Sequence, residues 1–226
     1  PPRSTLFPYT TLFRSASVLK ELLENAIDAG AANIDIAIED GGRKLIRITD
    51  DGSGMTADDL PLAVAPHATS KLQSEDDLAA IGTLGFRGEA LASIASIGEV
   101  RIVSRRRDSH EGAELAIADG RPTPVRAAGC PAGTTIEVAN LFYNTPARRK
   151  FLKSSSAEFA HITEQLTRIA LAWPRLGLTL THNGRAVRTL PAGQGQLDRI
   201  AALFGHELAE PLLHVDRDER DRKSVV

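Results

Sequence analysis

Between Ala16 and Ile48 the hydrophobic period changes once, and that change limits what the chain can fold into. Val18, Leu19, Leu22, Leu23, Ala26 and Ile27 recur at helical spacing, and Gly30 is suited to close the helix. Ile34, Ile36 and Ile38 then alternate with polar residues, Asp40-Gly41-Gly42 supplies a turn, and Leu45 to Ile48 continues apolar. The pattern predicts a helix that hands directly into a β-hairpin.

Downstream, a glycine-punctuated loop at Asp50-Asp51-Gly52-Ser53-Gly54 precedes a short helical segment over about 56–65. Ser74 can cap a short helix through Leu78 to Ile81, and a second glycine loop, Gly82 to Gly88, opens a helix that runs through Ala95. Strands are predicted at 100–104, 113–118 and 134–138, and helices at 146–152 and 157–172. A hairpin follows around Asn183-Gly184, then an amphipathic helix at 197–204. Strands joined by hairpins are antiparallel, so this order implies an α+β two-layer sandwich.

Composition narrows the function. The 226 residues carry 27 basic and 29 acidic side chains, a net charge of -2, so the global balance does not announce a polyanion partner. A single cysteine, Cys130, excludes an internal disulfide, and the six histidines form no close His/Cys pair at zinc-ligand spacing. No apolar run reaches the ~18 residues of a membrane span. A cytoplasmic protein without membrane attachment is the expectation.

Glu21, Glu24, Asn25 and Asp28 fall at i, i+3, i+4 and i+7 and share the face of the first helix opposite the apolar one. Taken alone, a solvated surface explains that stripe better than a site does. Asp50, at a strand end before Gly52 and Gly54, puts a carboxylate where backbone can approach a planar ligand, although a plain turn explains DxGxG about as well. Gly82, Gly85 and Gly88 lead into a helix whose N-terminal amides attract phosphate. Their spacing matches neither a P-loop nor a dinucleotide fingerprint, so any nucleotide site belongs to another fold. Such a site assembles in principle with Asp50 accepting from an exocyclic amine, the Asn25 carbonyl on Mg²⁺ and Glu21 activating water.

Six strings in order, Lys20-Glu-Leu-Leu-Glu-Asn-Ala-Ile-Asp-Ala-Gly30, Asp50-Asp-Gly-Ser-Gly54, His67-Ala-Thr-Ser-Lys71, Gly85-Phe-Arg-Gly-Glu-Ala-Leu91, Gly133-Thr-Thr135 and Phe142-Tyr-Asn-Thr-Pro-Ala-Arg-Arg-Lys-Phe151, resemble the motif set of the MutL family. The first two are shared with the wider GHKL superfamily of gyrase-type topoisomerases, heat-shock chaperones and histidine kinases. The fourth and sixth single out MutL. The resemblance covers about 16–220 and implies a Bergerat (GHKL) ATP-binding domain over 16–195. A linker helix and the start of a second, S5-like transducer domain are expected at 196–226.

By the same resemblance, Glu21 matches the general base, Asn25 the Mg²⁺ ligand and Asp50 the adenine-reading carboxylate, with Gly52 and Gly54 shaping the adenine pocket. Thr69, Ser70 and Lys71 match a nucleotide-contacting stretch. Gly85, Phe86, Arg87, Gly88, Glu89, Ala90 and Leu91 match the phosphate-covering lid and helix start, and Thr135 a second adenine contact. The implied function is an ATP-binding, slowly hydrolysing switch of DNA mismatch repair that couples mismatch recognition by MutS to downstream strand processing. Its implied partners are MutS, DNA, a downstream nuclease or helicase, and a second copy in an ATP-dependent homodimer. A nucleotide-independent repair scaffold and a topoisomerase-like ATPase are the rivals. Residues 1–15 show nothing like the family's preceding helix and are expected to be non-native or disordered. The basic runs Arg105-Arg106-Arg107 and Arg148-Arg149-Lys150 are candidate DNA-phosphate contacts, although short runs are more often solvated faces.

Overall fold

The computed structural model describes residues 14–65 and 90–210. Its elements run α1 (Ser15–Asp28), β1 (Asn33–Glu39), a 3₁₀ turn (Asp40–Gly42), β2 (Leu45–Asp50), α2 (Asp59–Ala63), α3 (Ala90–Ala95), β3 (Glu99–Arg105), β4 (Gly112–Ala118), β5 (Arg121–Pro122), β6 (Arg126–Ala128), β7 (Gly133–Ala139), α4 (Pro146–Arg149), α5 (Ser155–Ala172), β8 (Gly177–His182), β9 (Arg185–Leu190), α6 (Gln196–Phe204) and α7 (His206–Ala209). The strands form one sheet in the order β5-β4-β3-β7-β2-β1-β8-β9, with β6 also paired to β4.

The hairpins β1–β2, β3–β4 and β8–β9 are antiparallel, as their short connections require. The exception is β1–β8, a parallel pair between strands far apart in sequence, reached after α5 carries the chain back along the helical layer. The sheet is therefore mixed, and the architecture is an α+β two-layer sandwich. Some boundaries differ from the sequence expectations. The helix at 146 stops at Arg149, α2 is shorter than its segment, and the small strands β5 and β6 and the last helix α7 carry too few residues to show a period.

Strand register sorts the side chains. Leu180, Ile36, Ile48, Ile136, Ile102 and Leu115 lie opposite one another across neighbouring strands, and Ile38, Ile46, Val138, Val100 and Ile117 form the next row. All are buried, and α1 covers them with Val18, Leu19, Leu22, Leu23 and Ala26 while α5 adds Ile162, Leu166 and Ile169. The opposite face carries alternating charges, with Arg47 and Arg101 flanking Glu137 at 3.6 and 3.4 Å and Arg101 reaching Glu114 at 2.7 Å. These pairs are solvent-screened and contribute little beyond keeping that face wet.

Buried charged side chains fasten α1 and α6. The α1 N-terminus has no side-chain cap of its own, and the fully buried Glu158 of α5 accepts from the Ser15 amide at 3.3 Å and from the Lys153 amide at 3.1 Å. In α6, Arg199 is fully buried and donates to the carbonyls of Pro174, Leu176 and Pro191. No helix among the described residues is long and apolar enough to cross a membrane.

Closure of β7 onto β2 depends on Gly133, where φ is +115° and an added Cβ would lie 2.0 Å from the Asp50 carbonyl oxygen. Gly184, at φ +77° in the β8–β9 turn, faces open space. Gly133→Ala should cost about 2–4 kcal/mol in urea unfolding and Gly184→Ala about 1 kcal/mol. Equal costs would show that close approach at Gly133 is not what demands the glycine.

Candidate functional site

One row further along the sheet, the buried face stops being apolar. Its members are Leu178, Ile34, Asp50, Thr134, Ser104 and Ala113, so a carboxylate and two hydroxyls replace the isoleucines at the centre of the sheet. Buried polar groups persist only when hydrogen-bonded, and these are. Asp50 Oδ1 accepts from the Gly52 amide at 2.9 Å, Ser104 Oγ lies 2.9 Å from both Thr134 Oγ1 and the Gly133 carbonyl, and the Met55 amide donates to Ser104 Oγ at 2.8 Å. Asp50 and Thr134 are each 7% exposed while Ser104 is 0% exposed, so the first two touch the surface and the third does not.

Burial pushes the Asp50 carboxyl above its ordinary value of 3.8, the amides of Gly52 and Thr134 pull it back, and Asp51 adds a smaller push. Asp51 is the opposite case. Burial would raise it, but the Asn33 side chain, the amides of Asn33 and Ala32, and Arg107 together hold it low. Its Oδ1 accepts from Ala32 N at 2.7 Å and Asn33 N at 2.9 Å, and its Oδ2 from Asn33 Nδ2 at 2.8 Å. Asp51 thus clamps the α1–β1 connection, whereas Asp50 accepts from the backbone amides of Gly52 and Thr134.

The DxGxG loop bears directly on α1. Ser53 N donates to the Ala29 carbonyl at 2.9 Å, and a Cβ on Gly52 would come within 2.9 Å of both Ala29 Cβ and Asp50 Oδ1. At Gly54, φ is +71° and a Cβ would sit 2.1 Å from the Arg105 carbonyl oxygen. Both glycines are therefore demanded by close packing, one against the helix end and one against β3. Because Glu21, Asn25 and Ala29 lie at i, i+4 and i+8, the half-buried Glu21 and Asn25 continue the helix row that ends on this loop. The Asn25 carboxamide makes no hydrogen bond among the described residues.

The structure thus brings Asp50, Gly52 and Gly54 together and aligns Glu21 and Asn25 with them. It does not place Thr135 there. Side chains alternate along a strand, so Thr135 points to the charged face and its Oγ1 lies 3.1 Å from Thr49 Oγ1. The threonine beside Asp50 is Thr134, which the sequence reading passed over together with Ser104. Only strand register could have separated the two adjacent threonines. Ala90 and Leu91 open α3, with Leu91 in the core. Thr69, Ser70, Lys71, Gly85, Phe86, Arg87, Gly88 and Glu89 lie outside the described residues.

The two basic runs differ. Arg105 donates to the carbonyls of Cys130 and Ser109, Arg106 pairs with Asp108 at 2.8 Å, and Arg107 donates to the Asp51 carbonyl, so the first run is spent on its own hairpin and on the neighbouring segments before β7 and after β2. Arg148, Arg149 and Lys150 are exposed on or just after α4.

The fold recurs in solved structures. The Aquifex aeolicus MutL ATPase domain, solved in complex with ADP, superposes with a TM-score of 0.70 at 31% identity over 84% of this chain and 68% of that one. The chain belongs to the MutL family. Residues 13–120 match the family of histidine kinase-, DNA gyrase B- and HSP90-like ATPases, which makes the sandwich a GHKL-type ATPase fold. The DNA mismatch repair protein MutL of Mannheimia succiniciproducens is 50% identical over 208 residues, and that of Actinobacillus pleuropneumoniae 52% over 215 residues. These alignments take in 90% and 92% of this chain but 33% and 34% of those proteins, so the chain spans about a third of the length of such MutL relatives.

The raised Asp50 value fixes the sign of a pH effect. The protonated carboxyl favours folding, so its contribution is present below 3.8 and is lost as pH climbs through the raised value. The unfolding free energy of the ligand-free protein, measured against Asp50→Asn, should decline as pH rises from there and then level. A difference that stays flat across urea titrations at several pH values would remove burial as the controlling influence.

Proposed function

We propose that this chain is the ATP-binding and slowly hydrolysing switch of a MutL-type DNA mismatch repair protein, coupling mismatch recognition by MutS to downstream strand processing. The observation that carries the proposal is the buried Asp50–Thr134 pair at the sheet's polar end, beside the α1 terminus that Gly52 packs against. A carboxylate with few polar neighbours would suit a passive scaffold. Asp50 instead accepts from the amides of Gly52 and Thr134 and shares its strand row with the hydroxyls of Thr134 and Ser104, as a group that meets a hydrogen-bonding ligand would.

In this proposal Asp50 accepts from the exocyclic amine of adenine, Gly52 and Gly54 let the loop backbone approach the base, and Thr134 takes the role first assigned to Thr135. Glu21 orients or deprotonates the attacking water. Asn25 supplies one carboxamide oxygen for Mg²⁺, which when bound neutralises phosphate charge, and its uncommitted side chain fits that use. Thr69, Ser70 and Lys71 contact the nucleotide, and the stretch from Gly85 to Ala90 covers the phosphates, with Leu91 anchoring the helix start in the core. ATP binding then favours a homodimer that engages MutS, DNA and a nuclease or helicase in the cytoplasm, with hydrolysis as the reset. The exposed Arg148, Arg149 and Lys150 are the better placed of the two basic runs for DNA phosphate.

Calorimetric titration with a non-hydrolysable ATP analogue and Mg²⁺ tests the assignment. Asp50→Asn should weaken binding by about tenfold or more, while Glu21→Ala should bind within about threefold of wild type and lose about a hundredfold in turnover. Equal loss of binding in both variants would sink the division of roles.

A further inference from the structure

We infer that Ser104 is a positioning residue that fixes the direction of the Thr134 hydroxyl proton, leaving the site only acceptors to offer a base edge; the inference rests on the nucleotide reading above. A serine hydroxyl has one proton to donate and two lone pairs to accept with. Ser104 Oγ has three partners, at 2.9 Å from the Gly133 carbonyl, 2.9 Å from Thr134 Oγ1 and 2.8 Å from the Met55 amide. A carbonyl can only accept and an amide can only donate. The Ser104 proton therefore goes to Gly133, one Ser104 lone pair takes the Met55 N–H, and the remaining lone pair requires Thr134 to donate.

With its proton committed inward, Thr134 has only lone pairs left for a ligand. Its neighbour Asp50 already receives the Gly52 amide and offers oxygen as well. Two acceptors side by side match an amino group, which brings two N–H donors, and oppose a carbonyl at the same position. Ser104 is fully buried and cannot reach a ligand itself, so it acts through Thr134. The row thereby selects a 6-amino over a 6-oxo purine, and part of that selection is set one strand away from the contact. Ser104 has a second effect on the same loop, because its bond to Met55 N ties the segment after Gly54 to β3.

ATP and inosine triphosphate differ at this edge and serve as the probes, with dissociation constants from calorimetry on wild type, Ser104→Ala, Ser104→Cys, Thr134→Val and the double variant Ser104→Ala/Thr134→Val. Wild type should prefer ATP, and Ser104→Ala should shrink the ATP-to-ITP preference by about tenfold, the worth of one hydrogen bond. Thr134→Val should lose a similar factor, and the double variant should lose no more than either alone, because the two hydroxyls act as one unit. Ser104→Cys, a weak donor of similar size, should fall between and guards against an alanine variant that does not fold. A wild-type preference retained in Ser104→Ala, or losses that multiply in the double variant, overturns the inference while the nucleotide reading stands. Wild type that binds neither nucleotide overturns that reading and this inference with it.

Discussion

The pairing of β2 with β7 is the contact on which the rest of the arrangement depends. These strands share no turn and meet across a long stretch of chain, yet their register decides which side chains face the helices. Sliding β7 by one residue would carry Ile136 and Val138 out of the core and replace Thr134 by Thr135 beside Asp50. The apolar rows and the polar row are therefore specified together, and the hydrophobic effect that fixes the first also fixes the second. Gly133 allows the approach, because no side chain could stand between its Cα and the Asp50 carbonyl.

Adjacent carboxylates show how finely that register works. Asp50 and Asp51 are chemically the same, and the backbone turns one into the core and the other toward the α1–β1 connection. Asp51 spends its oxygens on the chain itself, holding Ala32 and Asn33, and its charge is stabilised. Asp50 carries an ionisation cost that the protein only partly offsets. In the proposed function the exocyclic amine of adenine would be the group that meets that charge.

Much of this was legible before any coordinates. The period change from Ala16 to Ile48 gave helix and hairpin because both use local repeats, and the glycines of the DxGxG loop marked close backbone approach. The parallel β1–β8 pair was not legible, since nothing local in Ile34–Ile38 or Leu178–Leu180 says which distant strand it joins. Thr134 was missed for a related reason. Two identical residues in succession occupy opposite faces of a strand, and which one is buried follows from a partner strand more than eighty residues away, as the Thr49–Thr135 contact shows. Ser104 offered no composition signal, and its importance lies in a count of hydrogen bonds.

Arg199 gives the fold a mechanical property. Its guanidinium holds carbonyls on both flanks of the β8–β9 hairpin as well as the end of α5, so α6 is riveted to the sheet edge through a buried cation that has no carboxylate partner among the described residues. Swinging α6 away would strand that charge and three carbonyls at once. Tension on the chain beyond α6 is therefore borne at the α5 terminus and the outer strands. At its other end α5 grips α1 through Glu158, so the helix bearing Glu21 and Asn25 and the departing chain are anchored to opposite ends of one stiff beam.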